Sequence, residues 1–232
     1  LGFRAGPIEG PTHFSQFDPL LVQLWGQAWY ETGCISAHYQ TMVVEGEQVR
    51  AFVELPADGS SFTRIWAEKA DGTPVLTGTA SVGAGPHPPS EISQRIAKLK
   101  PSQQLVINRD LRVGQQGAGN PESVRMGFDQ HMGAHYPFTL NDKLKVITEP
   151  CDWYTGAASP WGRPIIPTEM ISVLLGSTMD QAQFRGKGPA VGLFAGQEIR
   201  RIAGPLFVDH PYLLEREIVA LSESARTDSV WV

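Results

Sequence analysis

The first regular spacing of apolar positions falls in FSQFDPLLVQLWGQAWYETG. There Phe14, Phe17, Leu21, Leu24, Trp25 and Ala28 recur at helical intervals on one face. The spacing predicts one long amphipathic helix closed by Gly33. Pro19 lies inside the pattern, and a first turn accepts proline, so the helix proper is expected to begin at Asp18. After Gly33 the period falls to two. ISAHYQTMVV, EQVRAFVELP, FTRIWAEKA and PVLTGTASVG read as four consecutive strands, separated by turn signals at Gly46, at Pro56 to Ser61 and at Ala70 to Pro74. Links this short predict antiparallel pairing in a meander.

AGPHPPS, Ala84 to Ser90, reads as a linker. A short helix is expected after it, with Ser90 as N-cap and Pro101 beyond its end. QQLVINRDLRV reads as a strand, GQQGAGNPES as a loop, and TLNDKLKVITEP as a short helix capped by Thr139 or Asn141. From Pro164 the opening pattern returns. PTEMISVLLGSTMDQAQF predicts a second helix with Thr168 as N-cap and Met170, Val173 and Leu174 on its apolar side. The strand-like runs AVGLFAGQEIRRIAG, PLFVDHPYLLEREIVALSE and TDSVWV follow. Pro7-Ile8 with Pro11-Thr12, and Pro164-Ile165 with Pro167-Thr168, stand before the two helices, and Thr12 and Thr168 are 156 positions apart (168 − 12). The chain therefore reads as a duplicated α+β unit: residues 1–85, a connecting segment 86–140, and a second unit 141–232. Nothing after TDSVWV answers PVLTGTASVG, so a last strand is expected to be missing from the second unit.

Composition narrows the function classes. At 232 residues, 41% hydrophobic and 19% charged, the chain can bury a sizeable core. A net charge of −5, with no basic run interleaved with aromatics, excludes a phosphate-backbone partner, so no nucleic acid is expected. No stretch reaches the ~18 apolar residues of a membrane span, and the N-terminus lacks the shape of a signal peptide, so a cytoplasmic location is expected. The two cysteines, Cys34 and Cys151, follow no metal-ligand spacing and read as free thiols.

A helix followed by a strand meander, given twice, carries a family likeness together with two short segments. These are SPWGRPIIPTEMI before the second helix and VVEGEQVRA at a strand end. The chain resembles the double hot-dog proteins of the MaoC-like hydratase and dehydratase group. The resemblance implies an α+β tandem hot-dog fold, each unit an antiparallel sheet wrapped round a central helix. It implies hydration or dehydration of acyl thioesters, with coenzyme A or acyl carrier protein as part of the substrate, no separate cofactor, and a possible homodimer. A thioesterase on the same scaffold, and a non-catalytic protein holding an apolar-tailed ligand, are the alternatives. The group's hydratases carry an Asp, four residues, then His before the central helix. Asp152 matches that Asp, but Ala157 stands where the His belongs, and the first copy has His13 with no preceding Asp.

The richest polar cluster is RMGFDQHMGAHYPF, with Asp129, His131, His135 and Tyr136. An Asp near a His suits proton transfer at the α carbon and activation of water at the β carbon. Gly133 and Pro137 favour a loop there, a structured linker is the plain alternative, and two histidines without a third ligand leave a metal site unsupported, so no metal is expected. In the second cluster, Asp152 is a candidate base and Tyr154 a candidate donor to a thioester carbonyl. Trp153, Trp161, Gly162 and Arg163 are candidates for holding substrate near the start of the second helix. A turn aspartate with two packing aromatics is the alternative. His13, His38, His87 and His210 stand alone and read as structural or exposed. Arg185, Lys187, Arg200 and Arg201 read as surface charge, with coenzyme A phosphates as the alternative. No phosphate-loop glycine pattern and no GxSxG elbow is present.

Overall fold

A computed structural model describes residues 5–224 and 227–232. Helix α1 (Asp18–Trp25) begins at the expected aspartate, after a 3-10 turn over Gly10–Phe17. It does not run to Gly33. Gly26 takes φ +56, a conformation open to a residue without Cβ, and α1 ends there with the Gly26 N–H on the Val22 carbonyl at 2.7 Å. A separate helix α2 (Ala28–Thr32) follows. The expected apolar face holds as far as Leu21: Phe14, Phe17 and Leu21 are fully buried, Leu24, Trp25 and Ala28 are half-buried, and beyond the break Trp29 takes the buried place.

The four expected strands form as β1 (Cys34–Tyr39), β2 (Val49–Val53), β3 (Phe62–Lys69) and β4 (Pro74–Ser81). With β6 (Gly196–Arg200) they make an antiparallel sheet in the order β2-β3-β4-β1-β6. The meander thus holds for β2, β3 and β4 only. Strand β1 lies on the far side of β4, with Ile35 opposite Ala80 and Ala37 opposite Gly78. The segment after β1 is drawn off by the N-terminal segment: Pro7 makes an isolated bridge to Val44, and the Ile8 N–H donates to the Val43 carbonyl at 2.8 Å. A Cβ on Gly78 would lie 2.2 Å from the Ser36 carbonyl oxygen, so β1 and β4 approach this closely only because position 78 is glycine. Ile35, Ala37, Ile65, Ala67, Leu76, Ala80 and Ile199 form the apolar face of the sheet.

Hydroxyls on the other face receive helix α3 (Glu91–Ala97). The Ile92 N–H donates to Ser36 Oγ at 2.9 Å, the Glu91 N–H to Thr79 Oγ1 at 3.2 Å, and the Ser93 N–H to Ser90 Oγ at 3.3 Å, so Ser90 caps α3 as expected. Helix α4 (Leu140–Leu144) starts at Thr139 with a reciprocal capping box to Asp142. Helix α5 (Thr168–Gly176) is the expected second helix, but it is shorter: Thr168, expected as its cap, is its first residue, it stops at Gly176, and a separate 3-10 turn covers Met179–Ala182.

The remaining strands are short. β5 (Glu122–Val124) pairs with β7 (Tyr212–Leu214), and β8 (Ala220–Glu223) with β9 (Asp228–Trp231). The expected strand in QQLVINRDLRV is absent. Its amides find carboxylates instead of a neighbouring strand. Asp228 Oδ2 accepts from Val106, Ile107 and Asn108 at 3.0, 2.7 and 2.9 Å, and Glu223 accepts from Gln103 and Gln104 at 3.0 and 2.9 Å.

The chain forms two compact units. The first comprises Leu1–Arg95, Ile147–Glu169 and Phe194–Leu206, the second Ile96–Val146, Met170–Leu193 and Phe207–Val232. They interleave along the sequence, whereas the pattern suggested consecutive spans 1–85, 86–140 and 141–232. Both cysteines are free. Among the described residues no helix is long and apolar enough to cross a membrane.

Candidate functional site

In the first unit, α1 begins with a carboxylate on its buried face. Asp18 is one turn from both Phe14 and Leu21, so the helical period that buries those two side chains buries Asp18 as well; it is 2% exposed. A buried carboxylate has to be hydrogen-bonded. Trp29, one residue into α2, donates its indole N–H to Asp18 Oδ1 at 2.8 Å. Thr168, the first residue of α5, donates its hydroxyl to the same oxygen at 2.6 Å. Tyr154 donates its hydroxyl to Asp18 Oδ2 at 3.0 Å. The Tyr30 hydroxyl lies 2.9 Å from the Tyr154 hydroxyl. Ser15, in the 3-10 turn before α1, donates to the carboxylate of Glu169, which gives the starts of α1 and α5 a second tie.

The positive charge that matches Asp18 does not touch it. Arg201, just beyond β6, donates from Nη2 to Thr168 Oγ1 at 2.7 Å, so a threonine hydroxyl stands between guanidinium and carboxylate. The guanidinium carbon lies 5.3 Å from the ring centres of Trp29 and of Tyr30. Burial lowers the Arg201 pKa, opposed by the negative charge of Asp18. Burial and the Asp18 charge together raise the Tyr30 and Tyr154 hydroxyls well above the usual tyrosine range, so both stay protonated at neutral pH.

A surface loop covers Tyr30. Its ring meets those of Trp153 and Trp161 edge-on, at 5.6 and 6.4 Å between centres, and these two indoles meet each other at 5.5 Å and 88°. Trp161 also donates to Glu31 Oε1 at 3.3 Å. Both indoles are half-buried, while Asp152, Gly162 and Arg163 on the same loop are exposed. Gly162 takes φ +66 with open space where a Cβ would be.

The residues expected from the sequence divide accordingly. Tyr154, Trp153 and Trp161 come together around Tyr30 in the first unit. Asp152 opens the 3-10 turn Asp152–Tyr154, with its side chain exposed. Asp129, His131 and His135 belong to the second unit and are exposed as well. Asp129 accepts from Asn141 Nδ2 at 2.8 Å, and His135 faces Asp180 at 3.3 Å. Tyr136 is buried against Gly176. Arg201, read from the sequence as surface charge, is buried.

The sequence reading did not single out Asp18 or Tyr30 as chemistry, and it gave Arg201 only as surface charge or a contact to coenzyme A phosphates. Asp18 carried a usable signal: an acidic residue in phase with Phe14, Phe17 and Leu21 lies on the apolar side of its helix.

No family model and no curated protein matches this chain. Solved structures do. One is described as a MaoC domain protein dehydratase from Chloroflexus aurantiacus J-10-fl; it is 14% identical, with 95% of this chain and 69% of that chain covered, at a TM-score of 0.55. Another is Rv0216 from Mycobacterium tuberculosis, described as having a double hotdog fold; it is 10% identical, with 99% of this chain and 74% of that chain covered, at a TM-score of 0.55. At such identities the likeness speaks for architecture, and the chain has a MaoC-like double hot-dog fold of the α+β class.

Proposed function

We propose that the chain acts on acyl thioesters as a hydratase or dehydratase. It adds water to, or removes it from, the α–β bond of an acyl group carried on coenzyme A or an acyl carrier protein. The observation that carries this reading is the convergence of one buried carboxylate, two tyrosine hydroxyls and the first residue of α5, in a fold shared with a MaoC domain dehydratase. These are the group types that move a proton at the α carbon and at the β oxygen of such a substrate. Trp153, Trp161, Gly162 and Arg163, on the loop over Tyr30, are the residues we assign to holding the thioester.

A second reading is a non-catalytic hot-dog protein that holds an apolar-tailed ligand. The exposure of Asp129, His131, His135 and Asp152 favours it, because exposed groups gain none of the low-dielectric environment that strengthens acid–base work.

The test is hydration of crotonyl-coenzyme A and octenoyl-coenzyme A, followed by loss of the enoyl absorbance, with free thiol read in parallel. Turnover in the wild type that is lost in Asp18→Asn and kept in Asp152→Asn supports the first reading. Thiol release without hydration makes the protein a thioesterase. Tight binding of either thioester with neither reaction supports the second reading.

A further inference from the structure

We infer that Tyr30, Tyr154 and Asp18 form a proton relay, with Tyr30 as the group that meets the substrate and Asp18 as the terminal base. The inference deepens the hydratase reading and rests on it.

The direction of the relay follows from donor counting. An ionised carboxylate only accepts, so the 3.0 Å contact has Tyr154 as donor to Asp18. Tyr154 has one proton and has used it. The 2.9 Å contact between the hydroxyls therefore has Tyr30 as donor and Tyr154 as acceptor. Every proton in the chain points inward, and the free lone pair at the outer end is on the Tyr30 oxygen. The inner end is held ready: Trp29 and Thr168 fix Asp18 Oδ1, and Arg201 supplies matching charge through Thr168. Thr168 and Arg201 are positioning residues. The raised pKa of both tyrosines keeps them protonated at neutral pH, so each passes a proton on rather than holding a charge.

In dehydration, the Cα–H bond of a 3-hydroxyacyl thioester breaks and its electron pair stays on the thioester as an enolate. The proton goes to the Tyr30 oxygen, the Tyr30 proton to Tyr154, and the Tyr154 proton to Asp18 Oδ2. Reversal of these shifts delivers one proton to the departing β-hydroxyl. The enolate pair forms the α–β double bond, water leaves, and the relay is restored. Hydration is the same sequence reversed. Tyr30 is only 1% exposed and lies under the half-buried Trp153 and Trp161, so substrate reaches it when these indoles turn aside.

The experiment measures kcat and KM for crotonyl-coenzyme A in mixtures of light and heavy water, for wild type, Tyr30→Phe and Tyr154→Phe, with a melting curve for each. Tyr30→Phe leaves all three bonds to Asp18 intact, so it is the variant that tests chemistry apart from folding. The relay predicts a curved proton inventory in the wild type, and a loss in kcat of about 100-fold or more in each folded variant. KM is expected to stay within about threefold, since proton transfer is missing and binding is not. A folded Tyr30→Phe variant with at least half the wild-type kcat overturns the relay and leaves the hydratase reading standing. No turnover by the wild type on any enoyl thioester overturns both.

Discussion

Each unit of this chain buries an arginine and a carboxylate, and the two arrangements differ. In the second unit Arg216 Nη1 meets Glu122 Oε1 directly at 2.5 Å, while Nη2 donates to the Leu175 carbonyl at 2.5 Å and to Thr178 Oγ1 at 2.9 Å. Both side chains are almost wholly buried, and Glu122 Oε2 has no hydrogen-bond partner among the described residues. In the first unit a threonine hydroxyl separates Arg201 from Asp18, and both oxygens of Asp18 collect neutral donors. The direct pair locks β5 to the end of α5 and offers no movable proton beyond its own contact. The spaced pair leaves a carboxylate at the end of a row of hydroxyls. Burial of charge is common to both, so burial alone does not mark a functional site; the groups between the charges make the difference.

The largest expected effect tests the direct pair. Arg216→Met leaves Glu122 buried without a counter-charge, and we expect a loss of roughly 3–5 kcal/mol in denaturant unfolding. The double variant Arg216→Met with Glu122→Leu should recover much of it, because an apolar pair of similar volume carries no desolvation penalty. A single variant costing under about 1 kcal/mol would mean that the pair is not the bolt its geometry suggests.

The spaced network should respond less. Asp18→Asn keeps the shape of the side chain and removes its charge, and we expect a loss of about 2–3 kcal/mol, from weaker bonds to three donors and an uncompensated Arg201. Thr168→Val removes the bridging hydroxyl at nearly constant volume and should cost about 1–3 kcal/mol. A double-mutant cycle should give a smaller coupling for Asp18 with Arg201 than for Glu122 with Arg216. Equal couplings would erase the distinction between the two arrangements.

The sequence carried the element order well and the pairing of charges poorly, for physical reasons. Apolar periodicity is local, so the start of α1, the strands β1 to β4, the Ser90 cap and the Thr139 cap were legible. The place of β1 beside β4 was not, because it depends on Gly78 and on Pro7 capturing Val44, which are contacts between distant segments. The strand expected over 103–113 does not form, because Asp228 and Glu223, more than 110 positions away, take the amides of its first half. Tyr154, Trp153 and Trp161 were named in the sequence because they sit near Asp152, and the structure gathers them around Tyr30. Asp18 and Tyr30 sit on the neighbouring helices α1 and α2, but their partners Tyr154, Thr168 and Arg201 arrive from more than 120 positions away, and no local spacing announces that.

Acidification separates the two units in another way. In the first unit burial lowers the pKa of His13 and of His38, so the folded state prefers the neutral rings. Their contribution is therefore fully present above the unfolded histidine value of about 6.5 and is lost as pH falls through and below it. Hydrogen exchange followed by peptide mass spectrometry at pH 7.5 and pH 5.5 should show faster opening of segments around Phe14 and Ile35 at the lower pH. Segments around Val124 and Val208, in the second unit, should change less. His13→Gln should flatten the response of the first unit. Equal acceleration in both units would assign the acid response to other groups.

The smallest expected effect concerns the histidines that looked most like chemistry in the sequence. His135 and Asp180 pair at 3.3 Å, but their side chains are 64% and 83% exposed, where screening and side-chain entropy offset most of the attraction. His131 is exposed too. We expect His131→Asn and His135→Asn each to change stability by less than about 0.5 kcal/mol, as surface substitutions do. We also expect each to leave enoyl-thioester hydration unchanged, since the proton is assigned to Tyr30 and Tyr154. A tenfold fall in kcat for either histidine variant would reverse the comparison. It would move the chemistry to an exposed loop of the second unit and leave the Asp18 network as a second structural bolt, spaced by hydroxyls but no more functional than Glu122 with Arg216.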